Sequence, residues 1–243
     1  MKITLNLSPN FDPKKRKLNQ IKFIIFHYTG MRHENKAIDK LTNFKSKVSC
    51  HYFIKINGDV IKMVPEIYSA WHAGISGWKK YKSLNKYSLG IEISNPGHQY
   101  KYNKFSQIQI KSLLKLTKYL LKKYKIDSKS ILGHSDIAPY RKKDPGEKFP
   151  WRFLSKKRIG IWHSLNLIIL KEERNIKIAN LLKKKFINNL YKIGYARNKK
   201  FEKTKYIKML TLASQRRFRQ ELINGIIDKE CFKISENLLK KIK

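Results

Sequence analysis

Gly133-His134-Ser135-Asp136-Ile137-Ala138-Pro139-Tyr140-Arg141-Lys142-Lys143-Asp144-Pro145-Gly146 is the stretch of this 243-residue chain that says most about it. It follows the apolar pair Ile131-Leu132, so His134 stands where a short buried strand ends. Pro139, Pro145 and the later Pro150 keep residues 135–151 mostly irregular, because proline removes a backbone donor. Asp144 comes ten residues after His134, inside that restrained loop. A second histidine is placed in the same way. Lys22-Phe23-Ile24-Ile25-Phe26 reads as a buried strand, and His27-Tyr28-Thr29-Gly30 follows at its end. Two imidazoles and one carboxylate delivered by strand ends can form a three-ligand zinc shell with a fourth position left for water. A histidine beside a strand also serves as an ordinary structural residue, so residue type alone leaves both readings open. H-E-x-x-H and paired C-x-x-C patterns are absent from the sequence, which excludes a helical zincin and a zinc ribbon.

Outward from these two strand ends, helix and strand signals alternate. Residues 34–45 read as a helix with Ala37, Ile38, Leu41 and Phe44 on one face. Residues 50–56 and 59–64 read as a hairpin about Asn57-Gly58, with both turn residues at positive φ as a type I′ turn requires. Residues 67–86 are a loop region carrying Trp71-His72-Ala73-Gly74 and Trp78. Tyr87 to Ser94 is a strand with Leu89, Ile91 and Ile93 on one face. Residues 106–125 form the clearest helix, opened by a capping box of Ser106 and Gln109. The expected architecture over residues 1–164 is α/β, a central mixed sheet flanked by helices. Beyond residue 164 no strand pattern remains. Helices are expected over 166–192, 204–219 and 232–242, broken at Gly194 and Asn224-Gly225. Residues 165–243 thus read as a small all-α module, with Leu181, Phe186, Leu190, Leu210, Phe218 and Leu222 as its buried stripe.

Composition narrows the classes. Apolar residues make up 41% of the chain, too many for a disordered protein. Cys50 and Cys231 are the only cysteines, which excludes a disulfide scaffold and leaves a single bridge open. No run approaches a membrane span, and the N-terminus lacks the apolar stretch of a secretory signal. The formal charge is +38. It divides as +24 over residues 1–164 and +14 over 165–243, a similar density in both parts. An excess spread so evenly reads first as a lysine-rich bias of composition and second as a field for a polyanion, with no specific nucleic-acid motif behind it.

The quoted stretch resembles the signature of zinc-dependent N-acetylmuramoyl-L-alanine amidases of the type 2 family. That family shares its fold with phage lysozyme-type amidases and peptidoglycan recognition proteins. Five further fragments match in order: Phe26-His27-Tyr28-Thr29, His51-Tyr52-Phe53-Ile54, Val64-Pro65-Glu66, Ala70-Trp71-His72-Ala73-Gly74-Ile75-Ser76 and Ser88-Leu89-Gly90-Ile91-Glu92. Together they cover about residues 20–151. The resemblance implies one Zn2+ held by His27, His134 and Asp144. It assigns Glu92 and Lys142 to catalysis, Lys142 being preferred over its neighbour Lys143 by its place in the motif. Trp71 and His72 fall beside the substrate groove, as wall or as packing. Tyr140 departs from the family, where a smaller or polar residue often follows Ala-Pro. Residues 165–243 more faintly resemble a three-helix peptidoglycan-binding domain, which binds the wall or only packs against the catalytic part.

The implied activity is hydrolysis of the amide between N-acetylmuramic acid, or its anhydro form, and L-alanine in peptidoglycan or muropeptides. A non-catalytic peptidoglycan recognition module is the alternative, though such relatives typically lose metal ligands. The missing signal points to the cytoplasm and to recycling of wall fragments. The wall-binding resemblance points instead to the periplasm or cell envelope.

Overall fold

The strand expected at Phe23 sits inside a six-stranded sheet. The computed structural model describes residues 2–198 and 200–242. In chain order the strands are β1 (Ile3–Leu5), β2 (Phe11–Asp12), β3 (Phe23–Tyr28), β4 (Tyr52–Ile54), β5 (Val60–Lys62), β6 (Ser69–Ala70), β7 (Gly77–Trp78), β8 (Tyr81–Lys82), β9 (Ser88–Ile93) and β10 (Ile131–Gly133). The helices are α1 (Glu34–Thr42), α2 (Gln107–Tyr124), α3 (His134–Ile137), α4 (Trp151–Lys156), α5 (Leu167–Glu172), α6 (Asn180–Ile193), α7 (Lys203–Phe218) and α8 (Lys229–Ile242). The main sheet runs β1-β5-β4-β9-β3-β10, and β4–β5 is its one antiparallel pair among the described residues. This is the mixed sheet the sequence leads one to expect.

Its inner strands are apolar on both faces, as parallel strands covered on both sides must be. The two-residue alternation of a strand sorts β3 cleanly. Ile24 and Phe26 pack with Leu89, Ile91 and Ile93 against Leu113, Leu116 and Leu120 of α2. Phe23 and Ile25 turn to the other face, where Leu132 and Ile137 join Phe186, Leu190, Leu210, Phe218 and Leu238 of the C-terminal helices. The apolar core therefore runs across residue 164. A chain cut there would bare the side of the sheet that α6, α7 and α8 cover. Such a truncation is expected to aggregate or to lose cooperative unfolding, and soluble yield with a thermal melt checks this. A soluble 1–164 fragment melting like the full chain would show that the helices are dispensable for the fold.

Three local expectations are corrected. The helix foreseen over 166–192 is two helices, α5 and α6. The break has tertiary partners: Asn175 takes φ +65° and donates its N–H to Asp228, while Arg174 pairs with Glu230. The turn at Asn57-Gly58 is not type I′. Only Gly58 has positive φ (+84°), and its N–H closes on the Lys55 carbonyl, the pattern of a longer hairpin loop with glycine at the left-handed position. Leu181 and Phe44, placed on buried faces by periodicity, are exposed. Phe44 lies beyond the end of α1, where the Asn43 side chain accepts from Lys45 N–H and turns the chain. Both cysteines are free and buried. No helix among the described residues is long and apolar enough to cross a membrane.

Candidate active site

Register places the chemistry. Gly133 of β10 lies opposite Phe26 of β3, so His134 leaves the sheet level with His27. His27 in turn lies opposite Glu92 of β9. In a parallel pair opposed residues share a face, so His27 and Glu92 continue the same row as Ile25 and Gly90. Three neighbouring strands thus deliver His134, His27 and Glu92 together at their carboxyl ends, where open α/β sheets bind ligands. The proline-bounded loop returns Asp144 to the same point.

His27 Nδ1, His134 Nδ1 and Asp144 Oδ2 lie 2.9, 3.0 and 3.1 Å apart in their three pairings. All three residues are buried, and among the described residues they form the one set of donors close enough to share an ion. Zinc bond lengths of about 2.0–2.2 Å put neighbouring tetrahedral ligands roughly 3.3 Å apart, so the donor set fits a small cation. The far nitrogens agree. His27 Nε2 is 3.0 Å from His72 Nδ1, and His134 Nε2 is 3.2 Å from the Ala73 carbonyl. Each imidazole can therefore donate its N–H away from the site and present a bare Nδ1 to it, which is how partners beyond a metal fix ligand tautomers. His72 passes the pattern on: its Nε2 lies 3.2 Å from Ser88 Oγ, whose hydroxyl donates to the Leu84 carbonyl. Gly90 makes room for this, since a Cβ there would collide with the His72 ring.

Burial, reinforced by His134, lowers the His27 pKa to about 4, so it is neutral and ligand-ready near neutral pH. Burial alone would raise the Asp144 carboxyl, but contacts with His134 and His27 outweigh it and hold the group well below the usual range. Glu92 goes the other way. Burial and then the Asp144 charge lift it well above an ordinary carboxyl, against the pull of Lys142. Its Oε2 is shut off from solvent and has no hydrogen-bond partner.

A cleft of about 440 Å3 opens over these groups, lined among others by Trp71, His72, Glu92, His134, Lys142 and Asp144. Lys143 lines it too. The charge of Lys142 is felt at both His27 and Glu92. Trp71 is partly open to the cleft, and its backbone is tied to Ser49. Sequence reasoning overlooked Arg141, whose guanidinium donates to the carbonyls of Ala73 and Ile75 and so ties the ligand loop to the Trp71 segment. Tyr140 helps it by donating to the Ile75 carbonyl at 2.9 Å. It also overlooked the cleft-side pair Tyr28–His98 (2.8 Å), which Glu147 extends. No local pattern announces these contacts, because each joins segments far apart in the chain.

Residues 17–147 match the N-acetylmuramoyl-L-alanine amidase family of type 2. The chain belongs to this family. It is similar to the N-acetylmuramoyl-L-alanine amidase AmiD of Escherichia coli K12, 32% identical over 91% of this chain and 83% of that protein. The structure of AmiD in complex with anhydro-N-acetylmuramic acid-L-Ala-D-γ-Glu-L-Lys superposes with a TM-score of 0.81, covering 91% of this chain and 90% of AmiD. AmpDh3 from Pseudomonas aeruginosa, solved with an anhydromuramic pentapeptide, superposes at 0.79 with 29% identity over 95% of this chain and 94% of its own. At more than nine-tenths of this chain, the likeness to both reaches past the α/β part of this amidase into the C-terminal helices.

Proposed function

We propose that this amidase acts on muramyl peptides, anhydro forms included, with one Zn2+ held by His27, His134 and Asp144 and with Glu92 and Lys142 as catalytic residues. The observation that carries the proposal is the trio of donor atoms 2.9–3.1 Å apart under a cleft that Glu92, with its unpartnered Oε2, also lines. Two similar proteins solved with anhydromuramyl peptides support the substrate class. Bound zinc supplies a Lewis acid that acidifies water and polarises a carbonyl. Glu92 takes a proton from the attacking water and returns it to the amide nitrogen as the C–N bond breaks, leaving a free lactyl carboxylate and a free L-alanine amine. Its raised proton affinity suits both halves of that task. Lys142 holds the negative charge that gathers on the carbonyl oxygen, an electrostatic contribution of a few kcal/mol. Trp71 walls the groove. His72 borders it and orients His27.

Incubation with an N-acetylmuramyl peptide and with an anhydromuramyl peptide tests this by product mass. Free peptide is expected from at least one substrate, abolished by a zinc chelator and restored by added zinc. Turnover that survives complete metal removal would overturn the zinc assignment.

A further inference from the structure

His134 is the first residue of α3, a single turn, and the main chain just before it is held by Asp136. One Asp136 oxygen accepts the Gly133 N–H at 2.7 Å and pairs with the Arg217 guanidinium. The other accepts the Tyr195 hydroxyl at 2.9 Å. Arg217 also donates to the Ile131 carbonyl at 2.9 Å, and its guanidinium lies 4.1 Å above the Trp151 ring. Asp136, Arg217 and Tyr195 are all buried. Gly133 is closely packed as well, because a Cβ there would sit 2.7 Å from Pro145, the residue after Asp144. Ser135 N–H reaches the Asp144 carbonyl at 2.9 Å. The backbone that leads into His134 is therefore gripped by residues from the C-terminal helical part, and Ser135 ties it to Asp144.

A buried carboxylate keeps its charge only when paired and hydrogen-bonded. Without Arg217, the buried Asp136 carboxylate would lose its charge partner and would turn towards another donor or draw in water. Either would loosen its hold on Gly133 and the aim of His134, and misplacement of about 1 Å at a site can cost roughly a hundredfold in rate. Resting on the reading of His134 as a zinc ligand, we infer that Arg217 and Tyr195 are positioning residues. Through Asp136 they set His134 against His27 and Asp144, so the C-terminal helices help to shape the catalytic centre.

The test uses the full chain with Arg217→Met, Arg217→Lys and Tyr195→Phe, and His134→Ala as reference. Zinc affinity is read by chelator competition, kcat and KM on an anhydromuramyl tripeptide, and folding by near-UV circular dichroism. Folded Arg217→Met is expected to lose about 10–100-fold in zinc affinity and in kcat, with KM within twofold, as when partners of metal ligands are removed. Arg217→Lys should recover part of the loss. Tyr195→Phe, which keeps the ring on Trp78, should lose roughly 3–10-fold, a smaller share of the same effect. Wild-type zinc affinity and kcat in folded Arg217→Met would overturn the inference. Should that variant not fold, the same result in Tyr195→Phe would overturn it. Zinc retained in His134→Ala would strike down the ligand reading, a result separate from either of these.

Discussion

Glu92→Gln is expected to lower kcat by about 10²–10⁴ while the protein still binds zinc, the range spanned by losing a general acid–base group. The change keeps the volume and removes only the ability to take and return a proton. Glu92 lines the cleft beside Asp144 and Lys142, yet its Oε2 bonds to nothing in the fold. A structural carboxylate would be paired, since a buried polar atom without a partner costs about 1–3 kcal/mol. Its partner is thus expected to arrive with the substrate and the attacking water. Asp144→Asn offers the contrast, because it should lose the metal and the activity together. Near-wild-type turnover in zinc-loaded Glu92→Gln would remove Glu92 from the mechanism.

Acid should destabilise the metal-free protein as its buried histidines are forced to charge, above the pH at which ordinary carboxylates take up protons. Burial lowers His51 to about 3, His27 and His163 to about 4, and His72 well below its ordinary value. Unfolded, each takes up a proton near pH 6.5. Below that pH the unfolded chain binds more protons than the folded one, so stability is full above about 6.5 and falls as pH drops towards 4. The slope is about 1.4 kcal/mol per imidazole per pH unit. Between pH 6.5 and 4.5 four such groups remove an amount comparable to a domain's whole stability of about 5–15 kcal/mol. Denaturant melts of apo protein at pH 7.5, 6 and 5 measure this. His51→Gln should flatten the slope by one proton, since an amide can still accept the Gly90 N–H. Equal stability at pH 7.5 and 5 would refute the account. Zinc should steepen the loss, because protons and metal compete for His27.

Much of the site is local in the sequence. The strand ends at His27 and His134 are legible because each closes an apolar run, and the irregular loop around Asp144 is legible from its prolines. That these three residues belong together is implied by the family resemblance, which also points to Glu92 and Lys142, and the structure brings the three donors within reach of one another. Helix α2 is legible from its capping box, which forms as expected, and from its apolar period. The break between α5 and α6 is illegible, because it depends on Asp228 and Glu230 more than fifty residues downstream. Leu181 misleads for the same reason, since helical period shows which residues share a face but not which face finds a partner.

The role of His72 could not be read from its neighbours, because what matters is the His27 nitrogen 3.0 Å away and the missing Cβ of Gly90 that lets the ring lie there. The boundary near residue 164 shows the limit most plainly. The sequence by itself determined the α/β and helical halves and the family, since periodicity, turn chemistry and motif spacing are short-range properties. Only the tertiary structure decided that the halves share one core and that Arg217 and Tyr195 reach Asp136 beside His134. Burial and ion pairing depend on which distant surfaces meet, and no local pattern carries that information.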